Sequence, residues 1–587
     1  MPEVQSTKID WLQVVSWSLF GLLVLFFLML KSFSFHWQVG DENIYFYMAW
    51  AGVDHGALPY ADYFFAHPPL HLLPGIFVFG LLGFGPITVR LIPIGATLVG
   101  AFFLFLLARR QIGRLGAVAT VFLYLTAFSL IRASTHWTGI NLSVMWVVIG
   151  LWAWQREKPA TAGVLMALGV CTGSYVWPAA IMTGMLAILR SKRDGLRFII
   201  GFAVPWAAVQ LICLIIGGQS YLQSVYSYHV KKPEASGASW KMSARVFTDN
   251  FALFLGALLG PLMAWLDKRL DSEKQELPAQ SSKSKPSNSS ILSLFWVWWR
   301  ERLLLDGARG IARIGALWTL GYIIFIGLLP KVYPFYFLLL FPGMALAGGY
   351  AFDRFFHHGF KLGTGYKTCT KRWWENLAIL GVIGLAVGIG FLARVPLQRS
   401  LLPKYVRTHD KPMKWSDGKL PGFVNRALRA CCFDDVAKAF TEYGTVQEIL
   451  YHESRYFEKA QQLADYVRSH STPEQTIFGD SSTAGLIALL ADRRLAADFS
   501  DTNTLRFRTG VTPPKEAIKR IDTPELKFIV VGGSLRRDKS GRESARFRRF
   551  ASLPAFSRFL NDNFQIAFRV ADRTKGWFFL LERKPGK

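Results

Sequence analysis

Apolar residues along the chain come in blocks rather than in an amphipathic period. The first block, 11–30, is long enough to cross a bilayer as a helix of roughly 20 residues. No small-residue cleavage site follows it, and Lys31 is followed by aromatics, so it reads as a retained helix and not a cleaved signal peptide. Further blocks at 89–108, 115–131, 140–154, 160–176, 177–189, 198–217, 251–266, 310–329, 334–351 and 376–393 bring the expected spans to eleven. The block 70–84 is shorter and contains Pro74. It suits an interfacial or re-entrant helix better than a span.

The polar gaps between blocks orient the chain. With 70–84 left out of the count, the loops alternate between two sides. One side holds Arg109, Arg110 and Arg114; Arg156 and Lys158; Arg190, Lys192, Arg193 and Arg197; the long 267–309 linker; and Arg354, Lys361, Lys367, Lys371 and Arg372. The other holds the 32–88 loop, 132–139, 218–250 and the Lys331 turn. The Lys- and Arg-rich side is expected to be cytoplasmic. The N-terminus is then cytoplasmic and 70–84 is a juxtamembrane helix outside.

Two segments have no membrane pattern. Residues 271–290 are rich in Ser, Pro, Lys and Gln and read as a disordered cytoplasmic linker. Residues 394–587 hold no apolar span. Strand-like runs at 476–479, 528–531, 564–570 and 577–582 alternate there with helical patterns at 457–469, 484–491 and 547–561, which predicts a soluble α/β domain. The expected fold is a polytopic α-helical membrane domain, 1–393, with a C-terminal soluble α/β domain, 394–587, on the outer face. The outer loop 31–88 carries the chemistry.

Composition then changes one point. The 587 residues carry 67 Lys+Arg against 40 Asp+Glu, a formal charge of +27, yet 51% are hydrophobic. Such a basic excess can mark an anionic partner such as nucleic acid. Here the membrane half's share lies mostly in the cytoplasmic loops and reports orientation, and no nucleic-acid motif is present. The tail keeps 35 Lys+Arg against 22 Asp+Glu, consistent with work beside a negative surface of lipid or glycan. Five Cys exclude a disulfide scaffold. Cys171 and Cys213 sit in apolar spans as packing residues, Cys369 is cytoplasmic, and the adjacent Cys431 and Cys432 read as free thiols or as pairing with another chain.

Polar chemistry collects in the first outer loop. Asp41 and Glu42 are adjacent, a few residues past the first span. Tyr45, Tyr47 and Trp50 follow at helical spacing, then His55, Asp62, His67 and His71 among Pro59, Pro68 and Pro69. Acidic residues beside a membrane are costly unless solvated or functional. His67 and His71, four apart, could with Asp41 or Glu42 ligate a divalent metal, or equally be polar loop residues.

This stretch resembles the first outer loop of the GT-C membrane glycosyltransferases, in the family 39-like branch of the protein O-mannosyltransferases and the aminoarabinose transferase of lipid A. The matching residues are Asp41-Glu42, Tyr45, Gly56, Pro59-Tyr60 and Pro68-Pro69-Leu70. Phe84-Gly85 followed by Val89-Arg90-Leu91, and Lys331-Val332-Tyr333-Pro334 leading to Phe341-Pro342-Gly343, match in order further along. The sequence departs from the pattern at His67, where the aminoarabinose transferase has Lys before Pro-Pro. It departs again in the second outer loop, which has no carboxylate and offers His136 or Asn141 instead.

The resemblance implies an inverting glycosyltransferase (EC 2.4 class) of a bacterial plasma membrane. It would move a sugar from an undecaprenyl- or dolichyl-phosphate donor to a lipid, glycan or protein acceptor on the outer face. Inversion needs one general base, whereas double displacement needs a nucleophile and an acid/base. Asp41 is the expected base, with Glu42 assisting or orienting it. Lys331, Arg90 and His67 are expected at the donor phosphate, with Tyr333 as a neutral donor. Tyr45, Tyr60 and His136 complete the expected substrate contacts. No cofactor is required, though a divalent metal on His67 and His71 would supply similar charge. Two other readings remain at this stage. One is an oligosaccharyltransferase moving a preassembled glycan. The other is a lipid or solute transporter, which would more often carry ionisable groups at the bilayer midplane and inverted repeats.

Overall fold

The computed structural model describes residues 11–32, 40–231, 238–275, 299–305, 307–329, 332–361, 454–537, 543–572 and 576–586. The expected span 376–393, Lys331, linker residues 276–290, Cys369, Cys431, Cys432 and the tail before 454 lie outside them.

Helix α1 (Trp11–Ser32) is long and apolar enough to be the first span, and α2 (Glu42–Asp54) and α3 (Leu73–Leu82) build the loop that follows it. There follow α4 (Pro86–Gln111), α5 (Arg114–Leu125), α6 (Phe128–Ala133), α7 (Ile140–Gln155), α8 (Pro159–Thr172), α9 (Trp177–Arg190) and α10 (Lys192–Leu222). Helices Ala238–Asp249, Phe251–Gln275, Gly307–Leu328 and Phe341–Lys361 complete the helical part. Among the described residues, four helices are long and apolar enough to cross a membrane, or five if the pair Met242–Asp249 and Phe251–Asp267, bent by 83°, is one span. Blocks 115–131, 140–154 and 160–176 form shorter helices, such as the 14 residues of α8, so length does not establish a count of eleven among the described residues.

Two blocks are divided where the sequence reading drew one. Block 115–131 breaks into α5 and α6 at Ala127, whose backbone is extended, while the Thr126 hydroxyl donates back to the Phe122 carbonyl. Block 334–351 opens as a 3-10 turn, Pro334–Leu339, and its helix starts at Phe341. Pro342 is accepted there because a first helical turn needs no N–H donor at that position. The 83° bend falls at Asn250, whose amide donates to the Val246 carbonyl and the Ser129 hydroxyl, both at 2.7 Å. Close helix crossing uses small residues: a Cβ on Gly163 of α8 or Gly201 of α10 would collide with backbone of the other helix. Helix α3 is only 10 residues, about 15 Å. It leaves Leu73, Phe77, Leu81 and Leu82 exposed on an apolar face, which suits an interfacial helix.

The C-terminal domain is a five-stranded sheet: β1 (Thr476–Gly479), β2 (Leu526–Arg537), β3 (Glu543–Phe547), β4 (Phe564–Asp572) and β5 (Gly576–Arg583). The order is β1-β2-β5-β4, with β3 on the far half of β2; β1 runs parallel to β2 and the other pairs are antiparallel. Strand alternation buries both faces. Ile529, Val531 and Phe579 meet Phe478, Phe550 and Phe556 on one side. Phe528, Val530 and Leu580 meet helices Ser454–Ser469 and Ala484–Ala491 on the other. That second core is continuous with Phe46, Tyr47 and Met48 of α2. The sheet domain therefore sits at the same end of the helices as the loop of α2 and α3.

Candidate active site

Adjacent residues Asp41 and Glu42 receive opposite environments. Glu42 opens α2 and turns inward, with 2% of its surface exposed. Arg90, one turn into α4 and wholly buried, places Nη1 2.8 Å from both Glu42 oxygens and also donates to the Thr135 carbonyl at 2.6 Å. The Trp137 backbone N–H donates to Glu42 Oε2 at 3.2 Å, and His136 Nδ1 lies 3.4 Å from the same oxygen. Burial alone would raise the Glu42 carboxyl, but the charges of Arg90 and then His136 prevail and hold it at about 2. Glu42, Arg90 and the 132–139 loop are thus one buried, hydrogen-bonded unit. Asp41 precedes this unit at the helix cap, is exposed, and makes no capping hydrogen bond.

A wall of rings continues from Asp41. The Tyr45 hydroxyl meets His67 Nε2 at 2.9 Å, and the Tyr60 hydroxyl donates to the His67 carbonyl at 2.6 Å. Tyr60 adopts φ 71°, and its packing requires Gly217 at the end of α10, where a Cβ would strike it. His229 Nε2 lies 2.6 Å from the Ala66 carbonyl, with its ring 6.1 Å from that of His67. Tyr175, Tyr336 and Tyr333 form a further run, 5.5 Å and 5.6 Å between successive centroids. Burial is the chief cause that raises the Tyr45 hydroxyl, followed by Tyr175, Asp41, Asp501 and Tyr336. After burial, Asp501 is the largest influence raising Tyr228, and Asp41 acts there too. These interactions relate Asp41 and Asp501 to the same rings.

His71 is different. It is fully buried, its ring 4.5 Å from Tyr45 and 5.0 Å from His67, and neither nitrogen has a hydrogen-bond partner among the described residues. Burial pushes it down to about 3, so it is neutral. No three His, Cys, Asp or Glu side chains among the described residues converge as a metal set, so His67 and His71 lack the third ligand that the sequence reading sought in Asp41 or Glu42.

The C-terminal domain closes on α2 through polar contacts. Tyr47 donates to Asp498 at 2.8 Å and accepts the Leu495 N–H at 2.7 Å. Asn43 donates to the Ser482 carbonyl at 3.2 Å. Arg506 is buried between the rings of Phe64 and Phe499, 4.5 and 4.4 Å away, and donates to the Asp501 carbonyl at 2.8 Å.

The structure thus gathers Asp41, Tyr45, Tyr60 and His67 in one region, with Tyr333 reaching it through Tyr336. Arg90 and His136 sit on Glu42. Sequence reading missed Tyr175, Tyr228, His229, Tyr336 and Asp501. His229 was visible as an imidazole in an aromatic outer loop. Asp501 carried no signal, being 460 residues from Asp41 and in no motif.

No family model matches the chain, and no curated protein matches it in sequence. Solved structures do match. ArnT from Cupriavidus metallidurans bound to undecaprenyl phosphate aligns with TM-score 0.54 at 14% identity, over 96% of this chain and 97% of that one. Its apo form gives TM-score 0.56 at 13% identity, over 97% and 98%. The Archaeoglobus fulgidus oligosaccharyltransferase tethered with an acceptor peptide gives TM-score 0.44 at 11% identity, over 97% and 80%. The chain has the GT-C fold of ArnT: a helical, membrane-embedded part and a small C-terminal sheet domain.

Proposed function

We propose that the chain is an inverting glycosyltransferase that moves a sugar from a polyprenyl-phosphate donor to an acceptor hydroxyl at the outer membrane face. The observation that carries this reading is the division of labour in Asp41-Glu42. One carboxylate is locked and ionised in a buried pair, and its neighbour is exposed beside a wall of tyrosines and histidines. The undecaprenyl phosphate of ArnT, the neighbour in fold, is the basis for assigning a like donor here.

In this reading Asp41 takes the proton of the acceptor hydroxyl as its oxygen bonds to the anomeric carbon. The bond from that carbon to the phosphate oxygen breaks, and polyprenyl phosphate leaves with the electron pair. A leaving phosphate needs charge stabilisation and no protonation. Lys331 and His67 are assigned to it, with Tyr333 as a neutral donor. Tyr45 and Tyr60 hold His67 in place. Arg90 and His136 are assigned as positioning residues, because their nitrogens face Glu42. The charge asymmetry of the loops supports a cytoplasmic N-terminus, and with it an extracytoplasmic sheet domain in a bacterial plasma membrane.

The test is transfer of labelled sugar from a polyprenyl-phosphate donor in membranes carrying wild-type, Asp41→Asn or Lys331→Ala protein. Loss of transfer is expected in Asp41→Asn at unchanged protein level. Wild-type turnover in that variant overturns the base assignment.

A further inference from the structure

The opposite end of the helical part holds a second feature. Arg110 lies in the last turn of α4, 20 residues beyond Arg90. At 1.5 Å per residue that is about 30 Å, the thickness of a bilayer's hydrocarbon core. There a cavity of about 330 Å³ opens between the ends of α4, α7 and α9 and the segment before Gly307–Leu328. Arg110, Arg190 and Arg300 line it, with Trp154, Leu303 and the single acid Glu157.

The arginines are differently held. Arg190 is fixed: Nη1 donates to the Trp154 carbonyl at 2.9 Å, and the guanidinium stacks 4.5 Å from the Trp154 ring. Arg110 and Arg300 are exposed and form no hydrogen bond or ion pair among the described residues. Basic residues at helix ends are ordinarily explained by membrane orientation. Orientation does not require three of them to converge on one cavity with an aromatic wall and an apolar floor. Guanidinium forks match phosphate oxygens in pairs. Basic pockets between membrane helices at this depth suit lipid head groups. Three guanidinium groups against one carboxylate leave the cavity cationic, and Leu303, Leu304 and Ile311 give it an apolar side.

We propose that this cavity binds a phosphate-bearing anion, delivered from the bilayer as the head group of an anionic phospholipid. Full-length protein is purified in neutral detergent, stripped of lipid, and returned to nanodiscs of phosphatidylglycerol or phosphatidylcholine. Lipid retained on extraction is counted by native mass spectrometry. Wild-type protein is expected to retain phosphatidylglycerol over phosphatidylcholine, and Arg110→Gln/Arg300→Gln to lose about tenfold of that preference. Both replaced side chains are exposed, so the melting temperature should hold, and Arg110→Lys/Arg300→Lys should recover part of the retention. Equal retention of the two lipids, or of phosphatidylglycerol by wild type and the Gln variant, overturns the proposal. Displacement of the lipid by millimolar glycerol phosphate assigns the site to a free phosphate and overturns the lipid source.

Discussion

Replacing Glu42 by Gln leaves Arg90 buried without its counter-charge. Breaking such a pair from one side costs about 3–5 kcal/mol, so Glu42→Gln should lower the melting temperature sharply, whereas the exposed Asp41→Asn should not. Activity should separate the two variants differently. A missing base should cost transfer about 100-fold or more, with the fold intact. The pH dependence has a definite sign. The Glu42 carboxyl is held at about 2 in the folded chain against an ordinary 4.5. Its stabilisation is present in full above about pH 4.5 and is lost as pH falls toward 2, an effect of about 3 kcal/mol. Acid melts of wild type against Glu42→Gln measure it. His71 adds a second acid sensitivity. Its folded value of about 3 lies below the ordinary 6.5, so stability falls as pH drops from 6.5 toward 3. His71→Leu should remove that component, since neither ring nitrogen has a partner to lose. At this scale the sequence displayed the acidic pair and the Pro-Pro histidine. It could not show which carboxylate is buried, because that depends on Arg90 arriving from another helix.

Elements meet at the junction of α2 with the sheet domain, and two substitutions weigh it. Tyr47→Phe strips the hydroxyl that bridges Asp498 and the Leu495 N–H, leaving a buried donor unsatisfied. A cost of about 1–3 kcal/mol is expected, read as a lower unfolding midpoint. Asp480, at the end of β1, is raised to about 6 by burial, against the pull of Arg549 and the Gly532 N–H. A raised carboxyl costs stability as pH climbs through its ordinary value of 3.8 toward 6, so Asp480→Asn should stabilise the domain at neutral pH and do little at pH 4. Elements with a strong local pattern were legible: α1, α7, β1 and Ala484–Ala491 lie where periodicity places them. β3 was not, because Glu543–Phe547 is short, charged and paired only with the far end of β2. The α5–α6 break was missed for a related reason, since Thr126 and Ala127 are apolar enough to hide it.

Across the whole molecule, charge and hydrophobicity fall into separate places. Arginines gather at the helix ends opposite the acidic pair, and the sheet domain shares its core with α2. That sharing predicts the behaviour of fragments. A chain limited to 454–587 would uncover the surface around Gly485 and Leu495 that α2 covers through Asn43 and Tyr47, and should aggregate or bind hydrophobic dyes where the full-length protein does not. Light scattering of the two checks it. Overall architecture was readable because block length and loop charge are local sums. The docking of the tail onto α2 was unreadable because it joins residues over 400 positions apart.

The shared core also sets an order of events during synthesis. Helix α2 leaves the ribosome early, with the side of Asn43 and Tyr47 that meets the tail still bare. Its partner strands emerge about 400 residues later, roughly 20–80 s at ordinary elongation rates. Throughout that interval the helix that carries Glu42, Tyr45 and Tyr47 lacks part of its packing. Truncation of the chain before the sheet domain should therefore leave this helix surface open to proteolysis, which limited digestion of ribosome-bound chains checks.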